Sequence, residues 1–547
     1  MIEEVRGFGF KRADEIARGL GIKPDSQMRF DACIKHVMQG SANLKGHCYL
    51  PVDELLTLVC DTMALPGYQP QLSDADSAVK SLKKVSINKS MRLVEEDGNI
   101  YLWSMHDAEV QLAEKLRLLT GELEQSKDED ISEWISEYEA RQGNGFKLAA
   151  QQREAVAVSA ANGLTIITGG PGVGKSTVAR AIVELWHKKQ KRIVAIAPTG
   201  KAAQRIREAT GLRDAQTIHR VLGWKGDGFG FDSSNPLAGD AFLIDEASMV
   251  DLKLANSLFR AIPRHATVVV IGDVDQLPSV GAGNVLRDMI LSEVIPVVRL
   301  TEVQRQASHS RIIQAAREVN RGEFPTLEQI GRGSTPTTDA LWVKCSSEQI
   351  PAAIRWLVSE FLPGDGRWQR GDVQCLAPMH KTDSGNIALN ALVQECWNQS
   401  PQIPWMGSLK EGDRIIQLKN DYERMVFNGD IGEIVGTDGE EKTGFVIMPD
   451  MDDPAGRLVE YKKADFDDTQ LGYSISIHKS QGCEFPVVII PATMQHYMML
   501  QRNLFYTGMT RAKKLLIFVG EEKAIAQAVR TNKIGDRNTG LMQRLKG

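Results

Sequence analysis

The chain has 547 residues, 42% hydrophobic and 25% charged, which is enough for three or four domains and excludes a single small binding module or a disordered chain. Lys and Arg number 65 against 70 Asp and Glu, a net charge of −5, so a nucleic-acid site has to be a local basic channel rather than a polycationic surface. The seven cysteines contain no Cys-x-x-Cys pair, and the chain has neither a run of about 18 apolar residues nor a basic-then-apolar amino terminus. A cytoplasmic location is therefore expected, without membrane or secretory roles.

Residues 1–120 are predicted to form a helical accessory domain that ends in a strand pair, 91–95 and 100–103, around Asp97-Gly98-Asn99. Residues 121–145 are acidic and amphipathic, with Trp134 and Tyr138 at helical spacing before Gly143-Asn144-Gly145. They read as a linker helix with a break. From 146 onward the pattern changes to short apolar runs at 164–167, 193–197, 242–244 and 267–271, and a second set follows at 373–377, 487–490 and 515–519. Strands apolar on both faces belong to parallel sheets covered by helices. The fold class is therefore α/β, with two such domains at 146–310 and at 311–404 plus 469–547. Alternating segments and Gly-Asp turns at 405–468 predict a small β-barrel inserted in the second domain.

Gly169-Gly170-Pro171-Gly172-Val173-Gly174-Lys175-Ser176 fits G-x-x-x-x-G-K-[ST], between a predicted strand and a helix starting near Thr177. Glycines let successive N–H groups converge on phosphate oxygens, Lys175 supplies charge at the β/γ-phosphates, and the Ser176 hydroxyl suits Mg²⁺. ATP with Mg²⁺ is the expected ligand, held by residues 170–177. Seventy residues after Lys175, Asp245 and Glu246 close an apolar strand. Asp245 is expected to partner Mg²⁺ and Glu246 to orient the attacking water. Gln276, in Gly272-Asp273-Val274-Asp275-Gln276-Leu277, is placed to bond the γ-phosphate, and Gln152 is a candidate for the adenine edge or simply a solvent-exposed helix residue.

These pieces, with Ala197-Pro198-Thr199-Gly200-Lys201-Ala202-Ala203, Thr217-Ile218-His219-Arg220, Arg305-Gln306, His478-Lys479-Ser480-Gln481-Gly482 and Tyr506-Thr507-Gly508-Met509-Thr510-Arg511-Ala512-Lys513, occur in the order of superfamily 1 DNA helicases. The chain resembles the RecD-like helicases over about residues 1–530. That resemblance implies two RecA-like domains with ATP between them, a single DNA strand crossing both, and 5′ to 3′ travel. It further implies that Arg305 and Arg511 act as arginine fingers. Thr199, Lys201, Thr217 and His219 would be the strand contacts of the first domain, and His478, Lys479 and Ser480 those of the second. Gln481 and Glu484 would link nucleotide to strand.

The resemblance also implies that the barrel is SH3-like and that a duplex-separating β-hairpin lies at about 221–239. Residues 4–14 look like the hairpin and second helix of a helix-hairpin-helix whose first helix is shortened or missing. Expected partners are single-stranded DNA, duplex DNA with a 5′ tail, and single-stranded-DNA-binding or recombination proteins, with the chain itself a monomer. An RNA-directed helicase and a noncatalytic DNA-binding subunit of a recombination complex are the competing functions.

Overall fold

A computed structural model describes residues 10–84, 92–121, 131–143, 145–226, 228–303, 309–421, 423–450, 453, 455–533 and 535–547. The helices Phe10–Gly19, Gln27–Gly40, Val52–Met63, Leu72–Lys84 and Trp103–Leu119 surround a three-stranded sheet of β1 (Tyr49–Pro51), β2 (Leu93–Glu96) and β3 (Asn99–Leu102). Asp97 and Gly98 both take positive φ, which closes the predicted β2–β3 hairpin in the sense its twist requires. Of the helix-hairpin-helix resemblance, residues 4–9 lie outside the described residues. Phe10 to Asp14 open the first helix, where Asp14 pairs with buried Arg29.

The first α/β domain holds β4 (Leu164–Gly169), β5 (Ile193–Ala197), β6 (Gln216–Thr217), β7 (Ala241–Ile244), β8 (Thr267–Gly272) and β9 (Val297–Leu300), all parallel in the order β6-β5-β7-β8-β4-β9. In the second, β10 (Glu328–Gln329), β11 (Ala340–Lys344) and β12 (Val373–Ala377) precede the insertion. That insertion is an antiparallel sheet of β13 (Arg414–Gln417), β14 (Ile431–Asp438), β15 (Thr443–Met448), β16 (Arg457–Lys462) and β17 (Thr469–Leu471) around its own core. The chain then returns through β18 (Ser474–Ser476), β19 (Phe485–Ala492) and β20 (Ala512–Gly520), completing the parallel order β10-β11-β20-β19-β12-β18. Strand β17 pairs with β13, so the inserted sheet runs three residues past 468.

Three expectations change. The helix Ile131–Gln142 is no spacer: Trp134, Ile135 and Tyr138 are buried in one cluster with Val156, Ile182 and Trp186 of the first α/β domain. The amphipathic face that suggests a linker packs instead on the helices Ala150–Ala161 and Lys175–Lys188. Residues 535–547 leave the second domain, and Leu541 and Leu545 sink into the core that the amino-terminal helices share with the other face of the first sheet. Finally, no strand falls among the described residues of 222–239. The Gly230 N–H donates to the Leu222 carbonyl at 2.8 Å and the Asn235 amide to the Gly230 carbonyl at 2.8 Å. Phe229 and Phe231 turn inward against the shared core. Burying two aromatics outweighs the short ladder that a Gly-interrupted hairpin could form.

Candidate active site and strand channel

The P-loop joins β4 to the helix Lys175–Lys188, with Gly172 and Gly174 at φ +72° and +84°. A side chain is also excluded at Gly170, where a Cβ would lie 2.9 Å from the Tyr506 hydroxyl. Lys175 Nζ donates to the carbonyls of Gly169 at 2.5 Å and Gly170 at 2.9 Å, folded over the loop it serves. Gln152 is buried, not solvent-exposed. Its amide donates to the Val173 carbonyl at 3.0 Å and accepts from Ala149 N, fastening the preceding helix to the P-loop. Gly170, Pro171, Ser176 and Thr177 line the same turn.

Asp245 and Glu246 follow β7, with Glu246 in a left-handed conformation at φ +50° and its N–H bonded to Asp245 Oδ1 at 2.8 Å. Burial, with the Glu246 charge beside it, pushes the Asp245 carboxyl up, while Arg205 and Lys175 oppose the shift. After β8, burial likewise pushes Asp273 up against the pull of Lys175. Gln276 donates to Asp273 at 3.2 Å, so its amide is held within its own turn.

That turn is gripped from the second domain. Tyr506 donates to Asp273 at 2.8 Å, Thr507 Oγ1 accepts from Leu277 N at 2.9 Å, and Gln481 Nε2 donates to the Leu277 carbonyl at 3.0 Å. Arg511 is almost fully buried and donates to the carbonyls of Thr507 and Cys483 and to the Thr510 hydroxyl, each at 3.1 Å. Its guanidinium is thus stored on its own side of the cleft. Arg305 lies outside the described residues.

Arg205 carries no motif signature, yet it spans the cleft. Its guanidinium donates to Glu246 Oε1 at 3.2 Å and also pairs with Glu484, which Lys513 holds at 3.1 Å from the other side. Burial would lower the Arg205 pKa, but Glu484, Glu246 and Asp245 together raise it, and Arg205 and Lys513 hold Glu484 low despite its own burial.

Thr199 and Thr217 cap the helices Gly200–Thr210 and Ile218–Val221, their hydroxyls accepting from Ala202 N and Arg220 N. Lys201 follows in the first turn of the longer helix. The Phe427 ring of the inserted barrel packs over Gly200, so the barrel meets this helix start. His219 stands 6.2 Å from the exposed Trp224 ring and 5.8 Å from Phe229. Across the cleft, burial lowers the pKa of both His478 and Lys479, with His380 adding to the shift at His478. Ser480 departs from its expected role. It is fully buried and its hydroxyl donates to the Ile477 carbonyl at 2.8 Å, because the turn before β19 needs that bond.

Four segments match known families: residues 1–49 the ATP-dependent RecD2 DNA helicase HHH domain, 147–335 an AAA domain, 389–448 the ATP-dependent RecD-like DNA helicase SH3 domain, and 471–519 the UvrD-like helicase C-terminal domain. The chain is 32% identical over 441 residues to the RecBCD enzyme subunit RecD of Mycolicibacterium smegmatis, spanning 74% of this chain and 76% of that protein. Among solved structures, a Bacteroides Pif1 bound to ssDNA overlaps 68% of this chain and 92% of its own at 18% identity. The TM-score is 0.41. The ATP-dependent RecD2 DNA helicase of Deinococcus radiodurans is 33% identical over 555 residues, covering all of this chain and 73% of that protein. On that extent of identity, joined to a P-loop facing a second parallel-sheet domain, the chain belongs to the ATP-dependent RecD2 DNA helicases.

Proposed function

We propose that the protein hydrolyses ATP to travel 5′ to 3′ along single-stranded DNA and to unwind duplexes bearing a 5′ tail, in recombination, repair or replication. The observation that carries this reading is the seam itself. The turn after β8 in the nucleotide-binding domain is held by Tyr506, Thr507 and Gln481 of the other domain. The same Tyr506 hydroxyl lies against Gly170 of the P-loop, so the nucleotide cradle and this turn meet the second domain at one point.

The residues present suit Mg²⁺ and ATP: a cradle at Gly170 that tolerates no Cβ, an ammonium at Lys175, and buried carboxyls at Asp245 and Asp273. Ser176 and Asp245 would hold the metal, which when bound shields phosphate charge. Glu246 orients the water, and Lys175 and Arg511 offset charge on the phosphates, Arg511 after leaving its carbonyl partners. Thr199, Lys201, Thr217, His219, His478 and Lys479 hold the strand by its backbone, so position is fixed without reading sequence. Gln481 and Glu484 tie the two functions together.

Strand separation on duplexes with one tail tests the reading. Unwinding of the 5′-tailed substrate only is expected, and a requirement for a 3′ tail overturns the direction. ATPase stimulation by DNA but not by RNA of the same sequence separates this function from an RNA helicase.

A further inference from the structure

The helix Gly200–Thr210 gathers parts that no single motif joins. Its amino end carries Thr199 and Lys201. Gly482, at φ +74°, approaches so closely that a Cβ there would lie 3.0 Å from Thr199 Oγ1. Lys201 and Arg205 are four residues apart and share one helical face. Arg205 then reaches Glu246 at 3.2 Å in its own domain and Glu484 in the other.

A carboxylate that must align water is held out of orientation when a guanidinium occupies one of its oxygens. One guanidinium nitrogen bonds Glu246 and the other bonds Glu484 on the opposite domain, so Arg205 can give up the first acid and still keep the second. Resting idly on the surface is excluded by its contacts: the side chain is 35% exposed and is held between two acids.

We propose that Arg205 is a positioning residue that restrains Glu246 until a single strand seats on the start of this helix and the turn at 482, which leaves the guanidinium on Glu484 alone and frees the Glu246 carboxylate. Strand stimulation of hydrolysis thus runs through Arg205. The inference rests on the function proposed above and adds to it the route of coupling.

The test uses the full chain, a fluorescent oligothymidylate, and the variants Arg205→Ala, Arg205→Gln and Glu246→Gln. Without DNA, Arg205→Ala should turn ATP over roughly tenfold faster, the scale of releasing one hydrogen bond to a charged group. With saturating oligothymidylate the rate should stay near wild type, so the stimulation ratio collapses. Strand affinity without nucleotide should rise severalfold in Arg205→Ala and equally in Glu246→Gln, and combining the two should give no further gain, since each breaks the same restraint.

Loss of a phosphate contact would instead weaken binding. Arg205→Gln keeps the side-chain stem and should behave as Arg205→Ala does, which covers a folding defect in the smaller variant. An unchanged stimulation ratio, weakened strand binding, or parallel loss of both rates in a folded variant overturns the proposal. A wild-type ATPase that oligothymidylate does not stimulate would sink the helicase reading itself, an outcome distinct from a stimulated wild type matched by its Arg205 variants.

Discussion

The two parallel sheets share a pattern but face the cleft with opposite ends. The first presents the loops that leave the carboxyl ends of its strands: the P-loop after β4, Asp245-Glu246 after β7 and Asp273 after β8. The second presents the segments that enter the amino ends of its strands, with Gln481 to Glu484 leading into β19 and Arg511 into β20, where the Phe485 N–H donates to the Arg511 carbonyl at 2.8 Å. Carboxyl ends of parallel strands are where loops can cradle a phosphate. The opposing edge can only complete such a site. On the function proposed above, the difference assigns the nucleotide chemistry to one domain and leaves charge and timing to the other.

Variants can break that division. On the owning side, Lys175→Ala should bring hydrolysis to background and weaken nucleotide binding. Glu246→Gln should keep nucleotide binding, with strand binding no weaker than wild type, while turnover falls on the order of a thousandfold, the range for a positioned base. A Glu246→Gln enzyme with normal single-turnover rates would remove that residue from its role. On the lending side, Arg511→Ala should lower kcat on the order of a thousandfold with little change in nucleotide affinity. If affinity collapses instead, the second domain owns part of the binding site and the comparison fails.

A smaller effect belongs to the grip between them. Tyr506→Phe deletes one hydroxyl and leaves Asp273 short of a buried donor. The loss is about 1.5 to 3 kcal/mol for a bond to a charged group, and should appear as weaker coupling: a kcat roughly tenfold lower with strand affinity preserved. Stopped-flow turnover with and without oligonucleotide measures both, and a wild-type rate would make the contact incidental.

The strands were largely legible because apolar runs such as 193–197 and 373–377 are bounded by polar or Gly residues and coincide with β5 and β12. The short β6 and β18 have too few residues to make a pattern. The shape of the candidate site was legible where a motif demands a local backbone conformation, as at Gly172 and Gly174 with their positive φ. It was hidden where the contact is long-range: Arg205 meets Glu484 across 279 positions, and a lone Arg on a polar helix looks solvated. The segment 222–239 misled because its aromatics suggest a wedge at a duplex fork, whereas only Trp224 stays exposed and Phe229 and Phe231 serve the core.

The carboxy-terminal strap was invisible for the same reason and supplies the mildest test. Thr539 Oγ1 lies 3.1 Å from Glu109 Oε1 and 2.8 Å from Asp288 Oδ2, and one hydroxyl proton cannot serve both. Glu109 already accepts from Gly540 N and Arg544 Nε, so the proton falls to Asp288. Burial pushes the Asp288 carboxyl up to about 7, with Glu109 adding to the shift and Thr539, Arg287 and Arg537 opposing it. An acid raised in the folded state binds a proton there that the unfolded chain has released. Its contribution is complete below the unfolded value of about 3.9 and is lost as pH rises through 7, by at most about 1.4 kcal/mol per pH unit. Asp288→Asn holds neutral at every pH the arrangement that Asp288 reaches only when protonated. Relative to wild type, the variant's melting midpoint should therefore climb between pH 5 and 8, by a few degrees at the upper end. Parallel midpoint curves would mean that Asp288 is ionised in the seam.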